Sequence, residues 1–244
     1  MSNKSVFNKI PIFGMIHLAG ISPVKRALDE ISLFEEEGLD GVIVENYHGP
    51  VERVIDTLEE MAKLNSKLLI GVNVLPNGYE LAFSLAHQYN ADFIQLDYVA
   101  GTYNNGRRLN LLDYREERKK HPTTLVLGGV WPKYYTPIPG SDLKKDLLEG
   151  MQRADAIVVT GAGTGKETPL EKIQQFRSVL GNHPLIVGAG LTVENVYPQL
   201  SIADGAIVGS YFKKDNLTEN QVDRKKVKDF MSKVEEVRRY RSVL

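Results

Sequence analysis

The sequence of 244 residues contains no cysteine and only one tryptophan. The absence of cysteine excludes disulfide bonds, thiolate metal sites and cysteine nucleophiles, and it suits a reducing compartment. Neither sign of charge dominates, because the chain has 30 lysine and arginine residues and 31 aspartate and glutamate residues. A balanced chain lacks the basic surface that nucleic acids and anionic membranes attract, so we expect neither as a partner.

Long apolar runs are also missing. No stretch approaches the ~20 apolar residues of a membrane-spanning helix, and the amino-terminal segment lacks the apolar core of a secretory signal. With 42% apolar and 25% charged residues, the composition is that of a globular protein. We therefore expect a cytoplasmic protein without a transmembrane segment.

The stretch VVTGAGTGKET, Val158 to Thr168, resembles the phosphate loop of nucleoside triphosphatases but lacks two of its elements. That loop begins with a glycine, and its Gly-Lys pair precedes a Ser or Thr that holds magnesium. Here Thr160 replaces the first glycine, and Glu167 follows Lys166. The glycines of this stretch therefore need another explanation.

Short apolar runs alternate with amphipathic segments along the whole chain. Apolar residues at helical spacing predict helices after Ser22-Pro23, after Val51, around Leu81 and near the carboxyl terminus from Val227. Thr168-Pro169-Leu170-Glu171 predicts a further helix that begins with a capping box.

The predicted strands are of two kinds. Four begin with an acidic residue: LDGVIVE from Leu39, ADFIQLD from Ala91, ADAIVVT from Ala154 and ADGAIVG from Ala203. Four carry an internal glycine: IFGMIH, LIGVNV, LVLGGV and LIVGAG, with Gly14, Gly71, Gly128 and Gly188 at like positions. The two kinds alternate strictly, and their continuous hydrophobicity is typical of strands buried on both faces.

Eight strands separated by helical segments predict an α/β protein, a single-domain (β/α)₈ TIM barrel over residues 1–244. An open doubly wound sheet is the alternative, because the sequence does not show closure. We interpret the recurring glycines as one layer in which the barrel interior narrows.

The active site of such a barrel forms from the loops that follow the strands. Thr160 and Gly161 open the loop after the sixth strand, where glycines allow either a close approach of a ligand or a tight turn. Loops after the seventh and eighth strands form the recurrent phosphate site of this fold. The candidate anion-binding residues there are Gly188, Gly190, Gly209 and Ser210, with tight turning as the alternative.

Polar side chains end the other strands and are costly there unless they pair or bind something. They are His17, Glu45, Asn46, Asn73 and Asp97, with Lys133 just after the fifth strand. Glu45 and Asp97 can form an acid-base pair or bind a divalent metal such as magnesium. An ion pair with Lys133 or Arg107 is the alternative, and for His17 a structural role and a catalytic role are equally open.

Two long loops follow the fourth and fifth strands. AGTYNNGRR offers Arg107 to a carboxylate or a second phosphate, and WPKYYTPIPGS brings Trp131, Tyr134 and Tyr135. Aromatic loops at a barrel mouth predict a lid or a subunit contact, so we expect a homo-oligomer. A self-packed surface loop is the alternative.

Several segments together resemble the BtpA family, which includes the SgcQ-like proteins of sugar-utilisation operons. They are IFGMIHLAG, GLDGVIVENYHG, IGVNVL, ADAIVVTGAGTG, VGAGLTVENV and ADGAIVGSYFKKD. The resemblance implies a barrel of the ribulose-phosphate-binding type and, in photosynthetic bacteria, a link to photosystem I biogenesis. Its motif positions include His17, Glu45, Asn46, Asn73, Lys133, Thr160, Gly161, Gly188 and Gly190.

The sequence departs from the family pattern at the fourth and fifth strands. Gln95 and Asp97 replace an arginine and an asparagine, Asn104-Asn105-Gly106 replaces an Asp-Gln-Gly loop, and Gly128-Gly129 replaces a terminal aspartate. We expect the substrate or the chemistry to have diverged there. Photosystem assembly is not transferred to this chain, because nothing in the sequence indicates a photosynthetic source.

Two hypotheses of function follow. In the first, the protein is an isomerase or lyase that transfers a proton on a small phosphorylated sugar or nucleotide-like substrate. Glu45 or Asp97 then acts as the base, and His17 or Lys133 polarises or protonates an oxygen. In the second, the protein is a non-catalytic assembly or regulatory protein whose phosphate pocket is a relic or a sensor.

Overall fold

In the described part of the chain, eight parallel strands alternate with eight α-helices and close into a barrel. The structure is a computed structural model that describes residues 3–242. The strands are β1 Ile12–Ile16, β2 Gly41–Glu45, β3 Leu69–Asn73, β4 Phe93–Leu96, β5 Leu125–Gly129, β6 Ala156–Val159, β7 Leu185–Val187 and β8 Gly205–Val208. Because β1 pairs with both β2 and β8, the sheet has no edge. The predicted (β/α)₈ barrel is confirmed, and the open-sheet alternative is excluded.

The helices cover the outside of this sheet. They are α1 Pro23–Glu36, α2 Glu52–Met61, α3 Tyr79–Gln88, α4 Leu111–Lys120, α5 Leu143–Met151, α6 Leu170–Leu180, α7 Val196–Leu200 and α8 Arg224–Arg241. A 3-10 helix, Asn3–Lys9, precedes β1. Within residues 3–242, no helix has both the length and the apolar character to cross a membrane.

The amino end of α6 differs from the predicted capping box. The helix begins at Leu170 after Pro169 and has no side-chain cap. Thr168 is instead fully buried, and its hydroxyl donates to the carbonyl oxygen of Ala189 at 3.0 Å. The hydroxyl that the local pattern assigned to the helix cap therefore forms a tertiary hydrogen bond instead.

The interpretation of the strand glycines as a single interior layer is wrong. A Cβ on Gly71 would meet the ring of Phe93 inside the barrel, but a Cβ on Gly14 would meet Phe34 of α1 outside it. Gly188 points inward like Gly71, and Gly128 points outward. Successive residues of a strand face opposite sides, so a shift of one position between similar segments reverses the side that a glycine serves.

The acidic residues that precede the even-numbered strands join adjacent strands at the amino-terminal end of the barrel. Their carboxylates accept hydrogen bonds from strand amides: Asp40 from Ile12, Asp92 from Ile70, Asp155 from Val126 and Asp204 from Leu185, at 2.8 to 3.0 Å. This repeat thus has a structural role, at the end of the barrel opposite to the predicted site.

Candidate active site

The carboxyl ends of the strands enclose a cavity of about 370 Å³. Its wall contains ten of the predicted site residues: His17, Glu45, Asn73, Asp97, Lys133, Thr160, Gly188, Gly190, Gly209 and Ser210. These residues are far apart in sequence, but parallel strands of a closed barrel all end at one rim. The volume lies in the range of small-molecule sites.

Glu45, the last residue of β2, lies in this cavity with 6% of its surface exposed. Asn73 ends the neighbouring strand in register with it and donates from Nδ2 to Glu45 Oε2 at 3.0 Å. His17 Nε2 is 3.7 Å from the other oxygen, Oε1. That distance is too long for a hydrogen bond, so Oε1 is not held by the imidazole.

Burial dominates the ionisation of Glu45 and His17. It raises the pKa of Glu45 to about 7, although the charge of Lys133 opposes the shift. It lowers the pKa of His17 well below its ordinary value, and the charge of Lys213 adds to the effect. Near neutral pH, His17 is therefore an uncharged imidazole, and Glu45 can both accept and release a proton.

Asp97 follows β4 and accepts a hydrogen bond from the hydroxyl of Tyr135 at 2.8 Å. Burial raises the pKa of its carboxyl, and the bond to Tyr135 opposes the rise. Among the described residues, neither Asp97 nor Glu45 forms an ion pair with Lys133 or Arg107. The ion-pair alternative from the sequence is therefore wrong.

The magnesium alternative fits these side chains poorly. In the described part of the chain, no group of three or more His, Asp or Glu residues is arranged to hold a metal ion. The carboxylates of Glu45 and Asp97 already accept hydrogen bonds from Asn73 and Tyr135. Magnesium takes six oxygen ligands, usually one or two protein carboxylates together with waters and substrate phosphates, and these two carboxylates are each already bonded by a neighbouring side chain.

Three buried polar atoms on the cavity wall have no hydrogen-bond partner within residues 3–242. They are His17 Nδ1, Asn73 Oδ1 and Gln95 Oε1. Buried polar atoms are nearly always paired, so unpaired ones on a cavity wall point to a ligand. The two amide oxygens are acceptors, and they suit a ligand that carries hydroxyl or N–H groups.

Lys133 lies where the loops after β5 and β6 meet. Its backbone amide donates to Thr160 Oγ1 at 2.7 Å, and its Nζ donates to Thr164 Oγ1 at 3.1 Å. The hydroxyl of Tyr134 also bonds Thr164 Oγ1, at 3.0 Å. These bonds hold the ammonium group of Lys133 at the cavity without a carboxylate partner among the described residues.

The loops after β7 and β8 form the rest of the wall. Gly190 has a φ of 68° and lies so close to the β6–α6 loop that a Cβ would be 2.3 Å from the backbone of Lys166. Close packing therefore explains why this residue is a glycine. Gly209 lies against the His17 ring, and Ser210 begins a 3-10 helix, Ser210–Phe212. Within the described residues, the amides of Gly190 and Ser210 donate to no other group, so both are free for an anion.

Three predicted site residues lie outside the cavity wall. Asn46 exchanges two hydrogen bonds with the backbone of Leu75, at 2.7 and 3.1 Å, and so shapes the loop after β3. Gly161 leaves room for the β6–α6 loop, since a Cβ would be 2.5 Å from Glu167 O. Arg107 lines a separate, smaller cavity, because its loop folds behind Tyr98, whose hydroxyl binds the Arg107 carbonyl.

Other residues of the wall were not among the candidate site residues. They include Tyr47, Gln95, Asn105, Thr164 and Tyr135. Gln95 stands two residues before Asp97 in the predicted strand ADFIQLD, so the period of two could have placed it on the same face. No comparable signal connects Tyr135 to Asp97, because that contact joins two separate loops.

The BtpA family model matches residues 11–236, which span the barrel from β1 to α8. The chain belongs to the BtpA family. An uncharacterized relative from Methanocaldococcus jannaschii is 30% identical, over 93% of this chain and 96% of its own. The photosystem I biogenesis protein BtpA of Synechocystis sp. is 25% identical, over 93% of this chain and 88% of its own.

Solved structures are similar to this BtpA-family protein in fold. Thiamine phosphate pyrophosphorylase from Pyrococcus furiosus superposes with a TM-score of 0.67 over 96% of this chain and 99% of its own, at 15% identity. At that identity the likeness shows the barrel fold alone. The positions at which we expect the sequence to depart from the BtpA pattern meet at the cavity, where Gln95, Asp97, Asn105 and Gly129 all line the wall.

Proposed function

We propose that this BtpA-family protein is an enzyme that moves a proton on a small phosphorylated sugar or nucleotide-like substrate, as an isomerase or lyase. The observation that carries the proposal is Glu45. It is a buried carboxylate whose pKa is raised to about 7, and it lies beside an uncharged imidazole in a ligand-sized cavity. Perturbed acid-base groups that converge in a cleft are typical of active sites.

In the proposed reaction, Glu45 removes a proton from the carbon next to a substrate carbonyl. The electron pair of the broken C–H bond moves into a new C=C bond, and the carbonyl oxygen gains the charge. His17 donates a hydrogen bond to that oxygen, and the ammonium group of Lys133 stabilises its charge. In an isomerase, the former carbonyl carbon then gains a proton, its oxygen is protonated, and the neighbouring hydroxyl loses its proton to become the new carbonyl. In a lyase, the carbonyl re-forms as the C=C electron pair shifts and the bond to a group on the next carbon breaks, with that group leaving with the bonding electrons.

The loops after β7 and β8 are suited to the phosphate of such a substrate. The unbonded amides of Gly190 and Ser210 provide N–H donors, and the Ser210 hydroxyl provides a third. The acceptors Asn73 Oδ1 and Gln95 Oε1 suit its hydroxyl groups. The cavity thus offers donors for an anion and acceptors for a polyol.

Deuterium exchange tests the proton transfer whichever product the reaction forms. The protein is incubated in D₂O with a panel of aldose and ketose phosphates, and the label at carbon is followed by NMR. We expect exchange with at least one compound, and Glu45→Gln should slow it by at least ~100-fold because an amide lacks basicity. Asp97→Asn measures the contribution of the second carboxylate.

Two variants complete this experiment. Lys166→Ala is the matched control, because Lys166 is exposed and does not line the cavity, and it should leave exchange within about twofold. Ser210→Ala should weaken the apparent affinity for the phosphorylated compound while labelling at saturation continues. A folded Glu45→Gln/Asp97→Asn double variant with wild-type exchange would contradict the acid-base assignment.

The second candidate function is a non-catalytic assembly or regulatory role with a ligand-sensing pocket. The role in photosystem I biogenesis that gives the Synechocystis relative its name favours it. A sensing protein should gain thermal stability from a phosphorylated compound and yet catalyse no exchange in any member of the panel. Such a result would select this function over the enzymatic one.

A further inference from the structure

The amino-terminal end of the barrel carries four equivalent carboxylates, and three of them bind an arginine. Arg238 binds Asp40, Arg118 binds Asp155 and Arg177 binds Asp204. Each arginine also donates to a backbone carbonyl, that of Ile10, Thr124 or His183. In each case this carbonyl lies two residues before the residue whose amide bonds the carboxylate. The three guanidinium groups therefore occupy equivalent positions in three quadrants of the barrel.

The fourth carboxylate, Asp92, has the same strand contact but no arginine. The amide of Ile70 donates to its Oδ2 at 2.8 Å. Arg118 lies eight residues before Val126, and Arg177 lies eight residues before Leu185, the amide donors of their quadrants. The residue eight positions before Ile70 is Ala62, which has no charge. Within residues 3–242, no lysine or arginine forms an ion pair with Asp92. This quadrant keeps the carboxylate and lacks the cation.

A cavity of about 380 Å³ opens beside Asp92, on the side of α3 and β5. Asp92 lines it together with the aromatic rings of Phe7, Phe13 and Phe93. The rings of Phe13 and Phe93 pack with their centroids 4.8 Å apart. This cavity shares no residue with the candidate active site, which lies at the other end of the barrel.

We propose that this cavity binds a small organic cation, an amidinium or guanidinium group on an apolar body, with Asp92 as its counter-ion. The planar N–H groups of such a cation match a carboxylate and supply the positive charge that this quadrant lacks. Aromatic rings attract a cation and also receive an apolar body. The cavity is larger than a guanidinium group alone would fill, so the ligand carries that body.

Benzamidine is the probe, since it joins an amidinium group to a phenyl ring, and uncharged benzamide is its neutral counterpart. Binding to the full chain is measured by calorimetric titration. Wild-type protein should bind benzamidine at least about tenfold more tightly than benzamide, because only the amidinium forms charge-assisted hydrogen bonds. Asp92→Asn, which keeps an acceptor for the Ile70 amide, should remove this preference.

Glu45→Gln is the control for the other cavity, and it should leave benzamidine affinity within about twofold. Absence of binding, equal binding by Asp92→Asn, or loss of binding in Glu45→Gln would each overturn the proposal. Dissociation of an oligomer by Asp92→Asn would also overturn it, in favour of a subunit contact. If Asp92→Asn fails to fold, a crystal of the wild type with benzamidine decides: the amidinium lies either on Asp92, as proposed, or elsewhere.

Discussion

Glu45 connects residue chemistry to both stability and function. A carboxyl of its type ordinarily ionises near pH 4.5, but burial in the cavity raises its pKa to about 7. Between these values the folded state holds a proton that the unfolded state has released. The free energy of unfolding therefore falls as the pH rises through this interval.

Replacement of Glu45 by glutamine should remove this penalty. The Glu45→Gln variant should match the wild type near pH 4.5 and exceed its free energy of unfolding by up to ~3 kcal/mol above pH 7. Urea unfolding at several pH values measures the difference. Glu116→Gln, at an exposed position, is the control and should change stability by less than ~0.5 kcal/mol at any pH. A difference for Glu45→Gln that stays constant with pH would contradict the raised pKa.

Among the elements, the β6–α6 loop is held from several sides. Lys172 of α6 donates to the carbonyls of Trp131 and Thr160, at 3.1 and 2.8 Å. Gln199 donates to Glu167 Oε1 at 3.1 Å, and Thr168 donates to the Ala189 carbonyl. The stretch that resembles a nucleotide-binding loop is thus fixed by neighbouring loops, and Gly190 allows the close contact that this arrangement requires.

The buried hydroxyl of Thr168 should be important for this loop. Thr168→Val keeps the shape of the side chain but leaves the Ala189 carbonyl unpaired, so it should lower the free energy of unfolding by about 1–3 kcal/mol. Chemical denaturation measures the loss. The matched control is Thr123→Val at an exposed position, which should be nearly neutral. An equal effect of both variants would show that the hydrogen bond of Thr168 contributes little.

At the scale of the whole molecule, the two ends of the barrel carry different groups. Convergent acid-base groups lie at the carboxyl end of the strands, whereas the amino end carries carboxylates that join strands and bind arginine. This separation agrees with the general division of such barrels between function and stability.

A pair of variants tests the separation. Asp155→Asn should leave Arg118 without its counter-ion and lower the free energy of unfolding by about 1–3 kcal/mol. Stabilisation by a ligand at the candidate active site should persist in this variant. Glu45→Gln should keep the fold and lose proton exchange. Thermal unfolding and deuterium exchange on both variants measure the two properties. Loss of exchange in well-folded Asp155→Asn would show that the ends are coupled.

Local patterns in the sequence were enough to predict the elements and most residues of the rim. Apolar periodicity and turn residues are local, so they located the eight strands, the main helices and the strand-end residues His17, Glu45, Asn73 and Asp97. A residue of the rim was predictable wherever its position at the end of a strand was enough to place it at the cavity. Membership of the BtpA family could likewise be inferred from short segments, because the identity of their residues is read directly from the sequence.

The remaining features depend on residues that are distant in the chain. Closure of the barrel, the inward or outward direction of Gly14 and Gly71, and the separation of Arg107 from the cavity follow from strand register and loop packing. The pairing of Tyr135 with Asp97 joins two loops, and the raised pKa of Glu45 comes from burial by the whole barrel. Register, packing and burial arise between residues far apart in the chain, so no local pattern records them.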